Sequence, residues 1–559
     1  MIGVIPATSR WSRPAALAAL LATACLACTI AVAAAPAISD TAYRGHIERL
    51  SSDEFAGRAP GTEGERKTLA YLEQQFRDAG LAPGNGGSYL QPVPMVEIVT
   101  RPDPTLQVRG TGGSLSLAYG NDVVMWTRRP VAESRLADAE LVFAGYGVVA
   151  PEYGWNDYAG LDVRGKVAVV LVNDPGYATR DPSLFTGTTM TYYGRWTYKF
   201  EEAVRQGAAG LLVVHETGPA GYPWDVVRNG AAKPQFDLRI ADPAAERLAI
   251  EGWVTQDGAQ RLLALAGLDY AALKQAAAVR GFRGRPLGIT ASVGVRNEVR
   301  FGTSYNVVGM VPGSERPDEF FVYTAHWDHL GTAVDGDGDR IFNGAADNAT
   351  GTAALIEIGR AFASTRPRPK RSVMFVAVTL EESGLLGSQY FAENPPAPVA
   401  QMYGGLNMDN LAPIGPARDV VVIGLGASEL DEYLRRAAAK QGRLLTREPT
   451  PEKGLYYRSD HFNLAKQGVP MLYPKAGIDT VEGGADYGRA WLDDYVANRY
   501  HKPSDQYDAS WNLHGTLQDL ALYYDVALTL ANEQSWPAWR EGSEFRAIRD
   551  RSRPPSGNR

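Results

Sequence analysis

Five residues of metal-ligand type fall in order along this chain: His326, Asp347, Glu382, Asp409 and His501. Two imidazoles and three carboxylates form a nitrogen and oxygen donor set that suits Zn²⁺. If one carboxylate is shared, five residues serve two ions. A further carboxylate, Glu381, stands directly before Glu382 and is placed to act as a general base beside the metals. Asp328 follows His326 by two residues, and a ligating imidazole commonly gives its second ring N–H to a carboxylate. The chemistry this set would do is metal-assisted hydrolysis.

The local patterns say what must position these groups. His326 follows the apolar run 320–324, the Glu381–Glu382 pair follows 373–379, and Asp409 follows 405–408. Asp347 directly precedes a helical pattern over 348–362. Short apolar runs at 320–324, 372–379, 405–408, 420–423 and 469–473 read as buried strands, with helices such as 348–362 and 429–440 between them. That alternation predicts an α/β fold with a mostly parallel central sheet flanked by helices. Such sheets carry their sites outside the carboxyl ends of the strands, where three of the five candidates fall.

The 559 residues exceed one ordinary domain. A net charge of −7 gives no basic face for a nucleic acid. Arg10 and Arg13 precede a charge-free Ala/Leu-rich run over 15–35, with small residues at Ala35 and Ala37. This reads as a signal peptide over 1–37 and export to the periplasm or beyond, with no stable membrane insertion after cleavage; an uncleaved anchor and a lipoprotein at Cys28 are the alternatives. Both cysteines, Cys25 and Cys28, lie in that run, so zinc in the mature chain is left to His and carboxylate. The expected division is 38–134 for the first part of the catalytic domain, 135–290 for a β-rich insert with one helix near 198–206, 291–540 for the catalytic remainder, and 541–559 for a solvated tail. The Asp335–Gly–Asp–Gly–Asp339 run lacks the downstream Glu of a calcium loop and reads as a turn.

The chain resembles the M28 family of two-zinc peptidases in the stretches Thr324-Ala-His-Trp-Asp-His-Leu-Gly331, Asn343-Gly-Ala-Ala-Asp-Asn-Ala-Thr-Gly351, Glu381-Glu-Ser-Gly-Leu-Leu-Gly-Ser388, Asn407-Met-Asp409, Ser459-Asp-His-Phe462 and Tyr500-His-Lys-Pro-Ser-Asp505. Gly57-Arg-Ala-Pro-Gly-Thr62 resembles the family's N-terminal segment, and 135–290 resembles a protease-associated (PA) insert. The resemblance implies the zinc exopeptidase fold and peptide substrates. It implies that Asp347 bridges two Zn²⁺ per chain, His326 and Asp409 complete one site, and Glu382 and His501 the other. Glu381 is then the general base, Asp328 orients His326, and a tyrosine near 456–457 is a candidate for steadying the oxyanion. The acidic residues around the site favour an incoming ammonium and so an aminopeptidase. The alternatives are a glutamate carboxypeptidase-type enzyme, a glutaminyl cyclase-like acyltransferase and an inactive receptor-like protein. Side-chain preference and oligomeric state are not encoded in these motifs.

Overall fold

The structure is a computed structural model, and it describes residues 38–333 and 338–552. The expected signal peptide, both cysteines, part of the Asp335–Asp339 turn and the last seven residues lie outside the described residues.

Eight strands build the frame that matters for the site: β1 (Leu90–Pro102), β2 (Arg285–Val311), β3 (Arg316–His326), β4 (Arg371–Val378), β5 (Met402–Asn407), β6 (Asp419–Ile423), β7 (Leu444–Arg447) and β8 (Met471–Lys475). Their order across the sheet is β1-β2-β4-β3-β5-β8-β6-β7. The centre, β4-β3-β5-β8, is parallel, and antiparallel pairings flank it. Every residue of β4 and β5 is buried, as a parallel sheet covered on both faces requires. Helix Thr350–Ser364 lies on one face with twelve buried residues. Helices Asp40–Leu50, Glu63–Asp78 and His514–Asn532 add Ile47, Leu72, Phe76 and Leu530 to the same core. The register pairs His326 with Val378 and Thr324 with Asn407. The chain therefore leaves β3, β4 and β5 at one level, at His326, just before Glu381 and just before Asp409.

Residues 135–290, expected as an insert, join the central sheet through a two-strand ribbon. The long strand β2 pairs with β1 from Val295↔Pro102 to Val307↔Leu90, and its earlier half pairs with the insert strand Glu133–Phe143. Inside the insert, Val167–Leu171, Gly210–His215 and Ile250–Thr255 run parallel. A second core reaches back to Leu106 and takes in Val421, Tyr456, Phe462 and Tyr473 of the catalytic part, so the insert is packed onto the catalytic part rather than loosely tethered.

Two expectations change. The insert holds four helices of eight residues or more, not one: Trp196–Arg205, Trp224–Ala231, Gln256–Leu265 and Tyr270–Ala277. Thr255 and Asp269 cap two of them, and Leu262, Leu263 and Tyr270 supply their apolar faces, a weak pattern in so Ala-rich a stretch. The tail is not wholly solvated. Phe545 is buried against Trp539, 5.1 Å between ring centroids. Arg549 is also buried, and its guanidinium donates to the Met402 carbonyl at 2.8 Å.

Candidate metal centre

All five expected donors meet at the carboxyl edge of the sheet. His326 Nε2 lies 3.2 Å from Asp347 Oδ1 and 3.5 Å from Asp409 Oδ1. His501 Nε2 lies 3.2 Å from Asp347 Oδ2 and 3.1 Å from Glu382 Oε2. A tetrahedral ion bonded at about 2.0–2.1 Å holds its donors about 3.3–3.4 Å apart. The spacing and the nitrogen/oxygen chemistry both fit zinc. Glu381, with His326 and Asp409, offers three donor atoms within 4.8 Å of one another, so it faces the same cleft.

Several of the donors are held from behind. The Ala346 and Asp347 amides donate to the two oxygens of Asp505, each at 3.0 Å. Asn348 Nδ2 donates to the Met408 carbonyl at 3.0 Å, and its Oδ1 accepts from the Asn410 amide at 3.1 Å, which ties the Asp347 turn to the Asp409 turn. Gly344 has φ +54°, and a Cβ there would fall 2.3 Å from the Asp347 carbonyl oxygen. A side chain at that position would displace the turn. Buried Arg58 donates to the carbonyls of Leu50, Trp327, Asn343 and Gly344 at 2.6–2.9 Å, joining the loop after β3 to the loop before Asp347. Asp409 Oδ2 accepts from Ser459 Oγ at 2.7 Å and from the Tyr473 hydroxyl at 2.8 Å, and Lys475 Nζ donates to its main-chain carbonyl.

Asp328 differs from expectation in how it acts. His326 Nδ1 is 3.1 Å from the Asp328 carbonyl oxygen, while the carboxylate is 3.9 Å away. The carboxylate instead accepts from the amides of Glu381 and Glu382 at 3.2 and 3.4 Å. Its geometry orients the glutamate pair, and its main chain orients the imidazole. His329 had no assigned role. Its Nδ1 is 2.6 Å from Glu382 Oε1, and its Nε2 is buried with no hydrogen-bond partner among the described residues. Its position three residues after His326 was the only available signal. The Tyr456 hydroxyl lies 3.5 Å from the Met471 carbonyl oxygen, and the Tyr457 hydroxyl donates to Glu544 at 2.9 Å. The tyrosines at the cluster are Tyr473 and Tyr500, whose ring stacks on His501 at 3.9 Å.

The electrostatics divide the carboxyls into two sets. Burial opposes ionisation of Asp347, Glu382 and Asp409. The imidazoles reverse this for Asp347 and Glu382, and Lys475 with His326 for Asp409. Asp347 and Asp409 are held well below the usual range and Glu382 at about 2. Glu381 lacks such compensation: burial, then Glu382 and Asp460, push it well above the usual carboxyl value against the pull of His326. Burial also raises Asp328 to about 7. The cleft thus holds oppositely shifted carboxyls, one set suited to hold cations and the other to carry a proton.

Parts of the chain are similar to known proteins. The chain is 35% identical over 112 residues to mouse "Aminopeptidase NAALADL1" (19% of this chain, 14% of that one). It is 31% identical over 211 residues to a "probable zinc metalloprotease" of Leptosphaeria maculans (36% of this chain, 47% of that one). The chain thus spans less than half the length of either relative. Among solved structures, the aminopeptidase from Aneurinibacillus sp. strain AM-1 aligns with a TM-score of 0.48 at 20% identity, over 90% of this chain and 95% of that one. Residues 306–525 match the model described as peptidase family M28, and they include all five donors and Glu381. The likeness to peptidase family M28 is thus carried by that segment of the chain.

Proposed function

We propose that the chain is a zinc-dependent exopeptidase that holds two Zn²⁺ and removes N-terminal residues from peptides. The observation that carries this is the Asp347 carboxylate, with one oxygen 3.2 Å from His326 and the other 3.2 Å from His501. In this reading His326 and Asp409 complete one site, Glu382 and His501 the other, and Asp347 is common to both. Zinc, when bound, supplies Lewis acidity for activating water and polarising the peptide carbonyl. Glu381 takes a proton from the attacking water and returns it to the leaving amine. Asp328 fixes the backbone beneath Glu381 through its hydrogen bond to that amide.

Asp328, Asp347, Glu381, Glu382 and Asp409 make the cleft acidic, which favours a substrate ammonium and supports the aminopeptidase direction. The relatives named as an aminopeptidase and as a zinc metalloprotease support the same class. Residues 135–290 are proposed as a protease-associated insert without a catalytic residue. Export to the periplasm or beyond rests on the N-terminal run alone. The test is elemental analysis together with paired substrates. The expected result is about two zinc per chain, cleavage of aminoacyl-p-nitroanilides with a free N-terminus, and no cleavage of their N-acetylated forms. Efficient removal of C-terminal residues from N-blocked peptides would overturn the direction, and absence of zinc after reconstitution would overturn the mechanism.

A further inference from the structure

His329 is a side chain that the fold accommodates at a cost. It is 1% exposed, and its Nε2 has no hydrogen-bond partner among the described residues. A buried polar atom left unpaired is destabilising. The chain also makes room for the ring: a Cβ at Gly344 would fall 2.6 Å from His329 Cδ2. On its other side the ring stands edge-on to His501, with centroids 5.7 Å apart at 72°. Gly344 and His501 together fix the direction in which Nδ1 points. It points at Glu382 Oε1, 2.6 Å away. Glu382 is held at about 2 and is therefore an ionised carboxylate, which only accepts, so Nδ1–H is the donor.

This hydrogen bond bears on how many donors the His501 side of the cluster has. The structure gathers three atoms there: His501 Nε2, with Asp347 Oδ2 at 3.2 Å and Glu382 Oε2 at 3.1 Å. Three protein donors are what a catalytic zinc site provides, with the fourth position left to water or substrate, whereas four close a structural site. Glu382 carries a possible fourth donor, Oε1, on the same carbon as Oε2. An unrestrained carboxylate can turn both oxygens to one cation. With Oε1 held by His329, it cannot. On the other side of the cluster the hydroxyls of Ser459 and Tyr473 occupy Asp409 Oδ2 in the same manner, at 2.7 and 2.8 Å.

We propose that His329 is a positioning residue: by donating to Glu382 Oε1 it limits Glu382 to one metal-facing oxygen and keeps a coordination position open for substrate on the His501 side. The inference rests on the two-zinc exopeptidase reading above.

The experiment compares zinc-loaded wild type, His329→Leu and His329→Asn by crystallography, elemental analysis and calorimetric titration with acetohydroxamate, a probe that takes open positions on zinc. In the wild type one Glu382 oxygen should lie within about 2.0–2.2 Å of zinc, the ordinary bond length, with the other on His329. His329→Leu should keep about two zinc per chain, turn both oxygens of Glu382 to the ion, and bind acetohydroxamate about 10- to 100-fold more weakly, the size of effect expected from a ligand's outer partner. Asn presents an amide N–H close to where Nδ1–H stands, so His329→Asn should bind the probe within about threefold of the wild type. A role in packing alone would not be rescued by this smaller, polar residue. Loss of an ion in His329→Leu, a single bound oxygen there with unchanged probe affinity, or His329→Asn behaving like His329→Leu would each overturn the proposal. If His329→Leu does not fold, the wild-type structure and His329→Asn still decide it. Zinc held by both oxygens of Glu382 in the wild type refutes this inference alone, whereas a wild type that binds no zinc refutes the two-zinc reading and the inference with it.

Discussion

Zinc uptake should expel about two protons per chain. In the protein without metal, burial alone would make the His501 imidazolium acidic, but Glu382 and Asp347 hold it up to about 10. Glu381, Asp347 and Asp409 likewise hold His326 well above its ordinary value against burial. Both imidazoles therefore favour the protonated form without metal, His501 so at pH 8, whereas Asp347, Asp409 and Glu382 are held low and favour the ionised form. The five donors then sum to about −1 without metal, from two cations and three anions. Ligation requires neutral imidazole, so each histidine must release one proton. Glu381, pushed up by burial and like charges, adds a further fraction when cations arrive. Protons thus compete with zinc. Over the pH range below both imidazolium values, the combined affinity for the ion pair should rise about 100-fold per pH unit, the slope for two protons displaced. Calorimetric titration of the apo-protein at pH 8, in buffers of different ionisation enthalpy, reads the number directly. A release below about half a proton would mean that the imidazoles are neutral without metal, and the ion-paired picture of the cluster would be wrong.

Glu381→Gln should lower kcat by about two to four orders of magnitude with zinc content unchanged, the range for losing a general base; near-full activity would move the proton shuttle elsewhere. Asp347→Ala should lose both ions by elemental analysis, and Asp409→Ala only one of them; equal losses would deny Asp347 its shared position. His461 gives a prediction about stability. Its ring is fully buried, and burial takes the group down to about 3 against the weaker pull of Asp409. The unfolded chain binds the proton near the ordinary value of about 6.5, so stability is lost as pH falls from about 6.5 towards 3, by at most about 5 kcal/mol at 1.36 kcal/mol per unit. His461→Leu should flatten the acid side of a plot of urea midpoint against pH, and an unchanged slope would refute the assignment.

The parts of the site legible in the sequence were those fixed by local pattern. Apolar runs ending at His326, before Glu381 and before Asp409 located three strand ends, and the parallel register then brought them level. Thr62, a residue type that favours helix starts, accepts from the Glu65 amide through its hydroxyl. What escaped depended on main-chain partners far away in sequence. Arg58 is defined by four carbonyls, two of them more than 280 residues distant, and no side-chain pattern announces a carbonyl. Asp328 looked like a partner for His326 from its spacing, but the turn directs its carboxylate to the Glu381 and Glu382 amides.

The hydrogen bonds also explain why one carboxylate of the three is suited to be shared. Asp409 has one oxygen occupied by Ser459 and Tyr473, which leaves Oδ1 for His326. Glu382 has Oε1 occupied by His329, which leaves Oε2 for His501. Each is thereby confined to one side of the cluster. Asp347 is restrained instead through its amide, by Asp505, and both of its carboxylate oxygens face imidazoles. Holding a ligand by its backbone fixes its position without using its donor atoms. Asp505 stands four residues after His501 in the same loop. The contact that fixes Asp347 thus also fixes the spacing between its carboxylate and the histidine it faces, so the two cannot drift apart without breaking hydrogen bonds buried beneath them.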